Sequence, residues 1–140
     1  MSVLLLDSGV WLSAFDPKDR FHESAKRLIA DGPNARELIA LDLTVFEVAN
    51  VALKKWHSPD DARHLAELVE VSCASDLERI DGETAAYTVR IADELGLTAY
   101  DAAYVAVSRR RGWTLVSGDL KNLVGPGHAV APDDVPPLAG

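Results

Sequence analysis

Apolar and polar positions fall along this chain in blocks whose period changes from one block to the next. Residues 3–6, "VLLL", are four apolar side chains in a row and predict a short strand covered on both faces. Residues 22–31, "HESAKRLIAD", repeat apolar positions at helical spacing, and Gly32 followed by Pro33 marks their stop. "LIALDL" (38–43) predicts a second strand, and "TVFEVANVALKKW" (44–56) a helix after it. Residues 58–71 carry helix-start chemistry, with Ser58 as cap, Pro59 at the first helical position and two acids behind it. "LERI" (77–80) is a candidate third strand. "GETAAYTVRIADELG" (82–96) is helical and closes on Gly96. "DAAYVAVSRRRG" (101–112) is apolar on nearly every side of its first two turns, so it belongs inside. "TLVSGD" (114–119) reads as strand and turn, and "HAVAP" (128–132) as a last short strand.

Strands alternating with helices predict an α/β domain of three layers, with a mainly parallel central sheet flanked by helices. The expected domain covers residues 1–131. The tail, 132–140, is too rich in proline for regular structure and is expected at the surface or frayed.

Composition narrows the class. At 140 residues the chain fits one domain. No apolar run approaches the ~20 residues of a bilayer span, so no membrane association is expected. The first apolar stretch has no basic flank and ends at Asp7, unlike a signal peptide. A single cysteine, Cys73, precludes an internal disulfide, and a cytoplasmic location is expected. With 14 basic and 22 acidic side chains the formal net charge is −8. That argues against a general nucleic-acid-binding surface, whose footprint is basic. It leaves open an acidic pocket that holds a cation and works on phosphate.

The carboxylates are therefore the candidate chemistry. Asp7 ends a buried run, where a charge is costly unless compensated; capping the next helix is the plain explanation. Thr44 and Glu47 match a capping box, and Thr98 and Asp101 resemble one with a shorter acid. Asp119 follows a strand through a glycine, as turn aspartates do. In a parallel sheet, Asp7, Glu47 and Asp119 come to the same end, the carboxyl ends of the strands, where ligands bind in open α/β folds. Asp101 opens a helix that follows a helix, and periodicity alone does not place it. Clustered carboxylates persist mainly around a cation, and an all-oxygen set suits Mg²⁺ or Mn²⁺ over zinc. The histidines His22, His57, His64 and His128 have no zinc-site spacing, and no phosphate-cradling glycine loop is present.

In this order the segments "LLLDSGVWLSAF", "DPKDRFHESA", "LTVFEVANVAL" and "LTAYDAAYVAVSRRRGWTLVSGDLKNL" resemble the PIN-domain ribonucleases, and within them the VapC-type toxins of type II toxin–antitoxin pairs. The resemblance implies a PIN-like domain with a metal and catalytic site formed by Asp7, Glu47, Asp101 and Asp119, holding one or two Mg²⁺ or Mn²⁺ ions. Ser117 is then a hydroxyl that orients a carboxylate or the attacking water. It further implies endoribonuclease cleavage of structured RNA such as tRNA or rRNA, leaving a 5′-phosphate and a 3′-hydroxyl. The implied partners are a small cognate VapB-type antitoxin and a second copy of the chain in a homodimer. Arg109, Arg110 and Arg111 become candidates for holding RNA phosphates, against the plain reading as helix-end charge. One position departs from the pattern: the family commonly has Ser or Asn two residues after the first aspartate, and here it is Gly9.

Two other functions compete. A non-catalytic PIN-like module would bind RNA or protein through the scaffold alone, and metal-dependent cleavage separates it from the nuclease. A phosphoacceptor receiver would need an acidic pair near the first strand, and an aspartate-nucleophile phosphatase a second acid at position 9; neither is present, although Lys121 suits the receiver.

Overall fold

Residues 3–74 and 76–136 are described by a computed structural model, the side chains of 32–35 excepted. Its central strand is β1 (Val3–Leu6), whose apolar run is continuous because both faces are covered. Leu4 and Leu6 enter one core and Leu5 the other. β2 (Glu37–Ile39) and β3 (Thr114–Val116) flank it, both parallel, in the order β2-β1-β3. Leu38 and Val116 continue the first core, and Ile39 and Leu115 the second. Each strand is thus read by its period of two.

Four helices cover the first face: α1 (Ser8–Phe15), α2 (His22–Ala35), α3 (Asp42–Lys54) and α4 (Pro59–Ser72). On the other face lie α5 (Gly82–Leu95) and α6 (Ala99–Arg111). The predicted three-layer α/β domain is therefore what forms. Residues 102–107 of α6 are all buried, as their unbroken apolar character requires. Ser58 caps α4 by accepting from the Asp61 N–H at 3.1 Å. Gly96 and Gly112 end α5 and α6 with φ of 66° and 69°, a left-handed turn that glycine takes without strain. Among the described residues no helix is long and apolar enough to cross a membrane.

Four expectations are corrected. The strand predicted over 38–43 stops at Ile39, and α3 starts at Asp42, two residues before its expected start. Residues 77–80 make one bridge, Leu41 to Glu78, because Asp81 already caps α5 and turns the chain. Residues 128–132 likewise make one bridge, Val116 to Val130; Pro132 then has no N–H with which to extend a ladder. Helix α2 runs past Gly32 and Pro33 to Ala35, since a proline removes one backbone donor without necessarily ending a helix. The tail is also more ordered at its start than expected: Pro132 is buried and opens a 3₁₀ turn, Pro132–Asp134. The buried Arg36 guanidinium donates to the Pro136 carbonyl, tying this segment to the start of β2. Residues 137–140 of the tail lie outside the described residues.

Candidate active site

Because the three strands run the same way, their carboxyl ends share one edge, and the chain leaves that edge through Asp7, Leu41 and Ser117. Asp7 is held twice. Its N–H donates to the Val116 carbonyl at 3.1 Å, extending the β1–β3 pairing, and its Oδ1 accepts from the Val10 N–H at 3.1 Å. It is thus the N-cap of α1, as the plain reading has it, yet its side chain is only 8% exposed. Burial pushes this carboxyl up to about 7, against bonds from Ser117 and Val10 that pull it down; Asp101 and Glu47 add repulsion.

Glu47 is not the capping residue that the sequence suggests. The cap of α3 is Leu41, and Thr44 is the residue that reaches back, its Oγ1 accepting from the Leu41 N–H at 3.1 Å. That shift of three positions releases Glu47 from the helix end. Its Oε1 accepts from the buried Tyr104 hydroxyl at 2.7 Å. Burial is also the main reason that its carboxyl is raised; bonds from Tyr104 and Ser8 oppose the rise, and Asp101 adds to it.

Asp101 lies in the first turn of α6, one turn before Tyr104. Thr98 caps the helix by accepting the Asp101 N–H at 3.1 Å. Asp101 is raised by burial and then by Asp119. Asp119 stands in a turn fastened by the fully buried Ser117, whose Oγ accepts the Asp119 N–H at 3.0 Å. Both carboxylate oxygens of Asp119 are met by Asn122, from its N–H at 3.0 Å and its side-chain amide at 3.2 Å.

Asp7, Asp101 and Asp119 line one cavity of about 540 Å³, together with Ser8, Gly9, Arg20, Lys55 and others. Glu47 lines the adjoining cavity, which shares Ser8 and carries the exposed Phe46 and Tyr100. As they stand, no three His, Cys, Asp or Glu side chains among the described residues are close enough to enclose an ion. The donor set nevertheless fits a hard divalent cation. It is all carboxylate oxygen, Asp7, Glu47 and Asp101 are each raised in part by a neighbouring carboxylate, and among the described residues none of the four has a basic group within ion-pair distance.

Arg109, Arg110 and Arg111 are not brought to the carboxylates. They sit at the opposite end of α6, about 12–15 Å along the axis from Asp101. Arg110 pairs with Glu83 at 3.4 Å, Arg111 with Glu78 at 2.7 Å, and Arg109 bonds His128 at 3.3 Å. His22 is tied to the fold, its Nδ1 lying 2.9 Å from the Ser13 carbonyl. Trp11 is fully buried, Trp56 stacks on Phe15, and Trp113 lies under Arg111. Sequence reasoning missed Tyr104 and Asn122, which orient Glu47 and Asp119, and read Thr44 as a partner of Glu47 rather than of Tyr104. The signal for Tyr104 was a polar tip three residues after Asp101 in an otherwise apolar helix.

Comparison with known proteins bears on the family and the fold. Residues 4–122 match the PIN domain family. Ribonuclease VapC3 of Pyrobaculum aerophilum is 32% identical over 121 residues, 83% of this chain and 88% of that one. Among solved structures, the sarcin–ricin-loop-cleaving toxin VapC20 of Mycobacterium tuberculosis superposes with a TM-score of 0.69 at 19% identity, over 89% of this chain and 95% of that one. A toxin–antitoxin complex from Klebsiella pneumoniae gives 0.64 at 22%, over 92% and 97%. The chain belongs to the PIN-domain family, in its VapC branch.

Proposed function

We propose that this protein is a divalent-metal-dependent endoribonuclease, the toxin of a pair in which a small VapB-type antitoxin silences it. The observation that carries the reading is the gathering of Asp7, Asp101 and Asp119 on one cavity, with Glu47 next to it and, among the described residues, no basic residue paired to any of them. Asp7, Asp101, Asp119 and Glu47 would hold Mg²⁺ or Mn²⁺. When bound, that ion supplies Lewis acidity and offsets charge on the phosphate. Ser117 and Val10 keep the Asp7 carboxylate aimed at the cavity, Tyr104 and Ser8 orient Glu47, and Asn122 fixes Asp119. Hydrolysis then proceeds by in-line attack of water, with no side-chain nucleophile.

The test is incubation with purified transfer and ribosomal RNA, with Mg²⁺ or Mn²⁺ and with chelator, followed by mapping of new 5′-phosphate ends. Wild-type protein should cut only with metal, and Asp7→Asn and Asp101→Asn should lose at least about a hundredfold in rate. Undiminished cleavage by both variants overturns the site. The non-catalytic binding module is favoured by one feature, the position of Glu47 on the adjoining cavity; RNA binding without any metal-dependent cut would establish it instead.

The antitoxin and the homodimer belong to the same proposal. Support comes from the toxin–antitoxin complex of like fold and from the exposed apolar side chains Phe46 (75%) and Tyr100 (65%) beside Glu47. Mass measurement after co-expression with the adjacent reading frame should find a second, smaller chain and paired copies of this one. A solitary monomer would overturn both.

A further inference from the structure

We propose that Arg20 and Lys55 hold the RNA phosphates on either side of the scissile bond, an assignment that rests on the ribonuclease reading above. A chain of net charge −8 repels RNA, so the cleft needs local cations at its wall. Arg20 and Lys55 line the same cavity as Asp7, Asp101 and Asp119. They come from different elements, Arg20 from the turn between α1 and α2 and Lys55 from the C-cap of α3. Among the described residues neither has a carboxylate within ion-pair distance, whereas Arg110 and Arg111 are paired on the far side of the domain.

Arg20 is also built into the site. Asp16 Oδ1 accepts from the Lys18 N–H at 3.0 Å and Asp19 Oδ1 from the Phe21 N–H at 2.8 Å. These bonds set the turn and occupy one oxygen each of Asp16 and Asp19, which also line the cavity. The Arg20 guanidinium lies over the Phe21 ring, 5.1 Å from its centroid. That ring packs so tightly under the turn bearing Asp119 that a Cβ on Gly118 would come within 3.2 Å of Phe21 Cδ2. Gly118 thus admits Phe21, and Phe21 carries Arg20 to the Asp119 side of the cleft. Lys55 has a simpler alternative, since a cation at a helix C-terminus is favoured by the macrodipole. That role would show in stability and leave RNA affinity alone. Two phosphate contacts predict a shallow salt dependence, a slope of about −1.4 for log K against log [salt] with single strands.

The experiment measures binding of a short labelled single-stranded RNA of mixed sequence by fluorescence anisotropy across a KCl series, with Ca²⁺ in place of Mg²⁺. Arg20→Gln and Lys55→Gln are compared with the charge-matched Arg90→Gln on α5. Each cleft variant should weaken binding about tenfold and flatten the slope by about 0.7, with an unchanged melting temperature, and Arg90→Gln should do neither. Lys55→Arg should restore affinity. Wild-type affinity and slope in both cleft variants overturn the assignment while wild-type cleavage of RNA keeps the ribonuclease reading. A wild-type chain that neither binds nor cuts RNA overturns the reading and the assignment together.

Discussion

The Tyr104 hydroxyl lies 2.7 Å from Glu47 Oε1 and joins α6 to α3. Because a carboxylate only accepts, the tyrosine donates, and the Thr44 hydroxyl 2.7 Å from Tyr104 Oη must donate in turn. Thr44 itself accepts from the Leu41 N–H, so the order of donors is fixed from Leu41 to Glu47. Removing the hydroxyl leaves the Thr44 O–H without its acceptor and Glu47 with only the bond from Ser8.

Tyr104→Phe should therefore cost about 1–2 kcal/mol in denaturant unfolding. It should also move the acid limb of the pH–rate profile to higher pH, since the bond from Tyr104 holds the Glu47 carboxyl down against burial. A variant with unchanged midpoint and unchanged limb would show that the relay does not orient Glu47.

Asp7 sets a pH dependence of opposite sign to that of a paired surface carboxylate. Its carboxyl is pushed from 3.8 up to about 7, so between these values the folded state keeps a proton that the unfolded chain releases. Stability of the metal-free protein should fall as pH rises through that window, by on the order of 4 kcal/mol in all, and level off above it. Asp7→Asn keeps a good helix cap and removes the charge. Near pH 8 without metal it should be more stable than wild type, and near pH 4 nearly equal. Saturating Mg²⁺ at about 100 times its Kd should return roughly 2.7 kcal/mol to wild type and little to the variant. Urea midpoints at the two pH values, with and without metal, check both statements.

Cys73 should be inert while the domain is folded. It is 6% exposed, and burial pushes its thiol up to about 12, so almost no thiolate exists at neutral pH. Iodoacetamide labelling near pH 8 should be slow, should track unfolding in a urea series, and should leave native RNA cleavage unchanged. Rapid stoichiometric labelling of the native protein would contradict the burial.

What could be read in advance followed from local physics. β1, α4, α5 and α6 announce themselves through an apolar run, the Ser58 cap, Gly96 and an all-apolar helix face. Asp7 and Asp119 were legible as acids at strand ends. Glu47 was legible as a third acid at that end, but its plain local reading as a cap fails, because the start of α3 depends on Leu41, which is buried against the second core and bridged to Glu78. Asp101 joins the others only through the packing of α6 on the sheet, a tertiary fact. Arg20 and Lys55, and not Arg109, Arg110 and Arg111, line the acidic cavity for the same reason: a helix length separates the latter three from Asp101, and sequence distance does not show that Arg20 shares a cavity with Asp119.

Gly9 is where this chain departs from its family's pattern, and restoring a hydroxyl there makes a definite test. The residue is in the first turn of α1 and lines the acidic cavity; a Cβ would sit 3.4 Å from Asp7 Oδ1, an ordinary contact. Gly9→Ser should therefore fit, and should raise stability by about 0.5 kcal/mol because glycine is a poor helix former. Its hydroxyl can donate to the Asp7 carboxylate. Asp7 is pushed up to about 7, so near neutral pH an incoming ion competes with a proton for it. A new donor favours the ionised form and should tighten Mn²⁺ binding, most clearly at the acid end of the titration. Gly9→Leu places a large side chain in the cavity and should abolish cleavage with little change in melting temperature. Isothermal titration with Mn²⁺ at several pH values separates these cases. Equal affinity in wild type and Gly9→Ser at every pH would show that Asp7 needs no support from position 9.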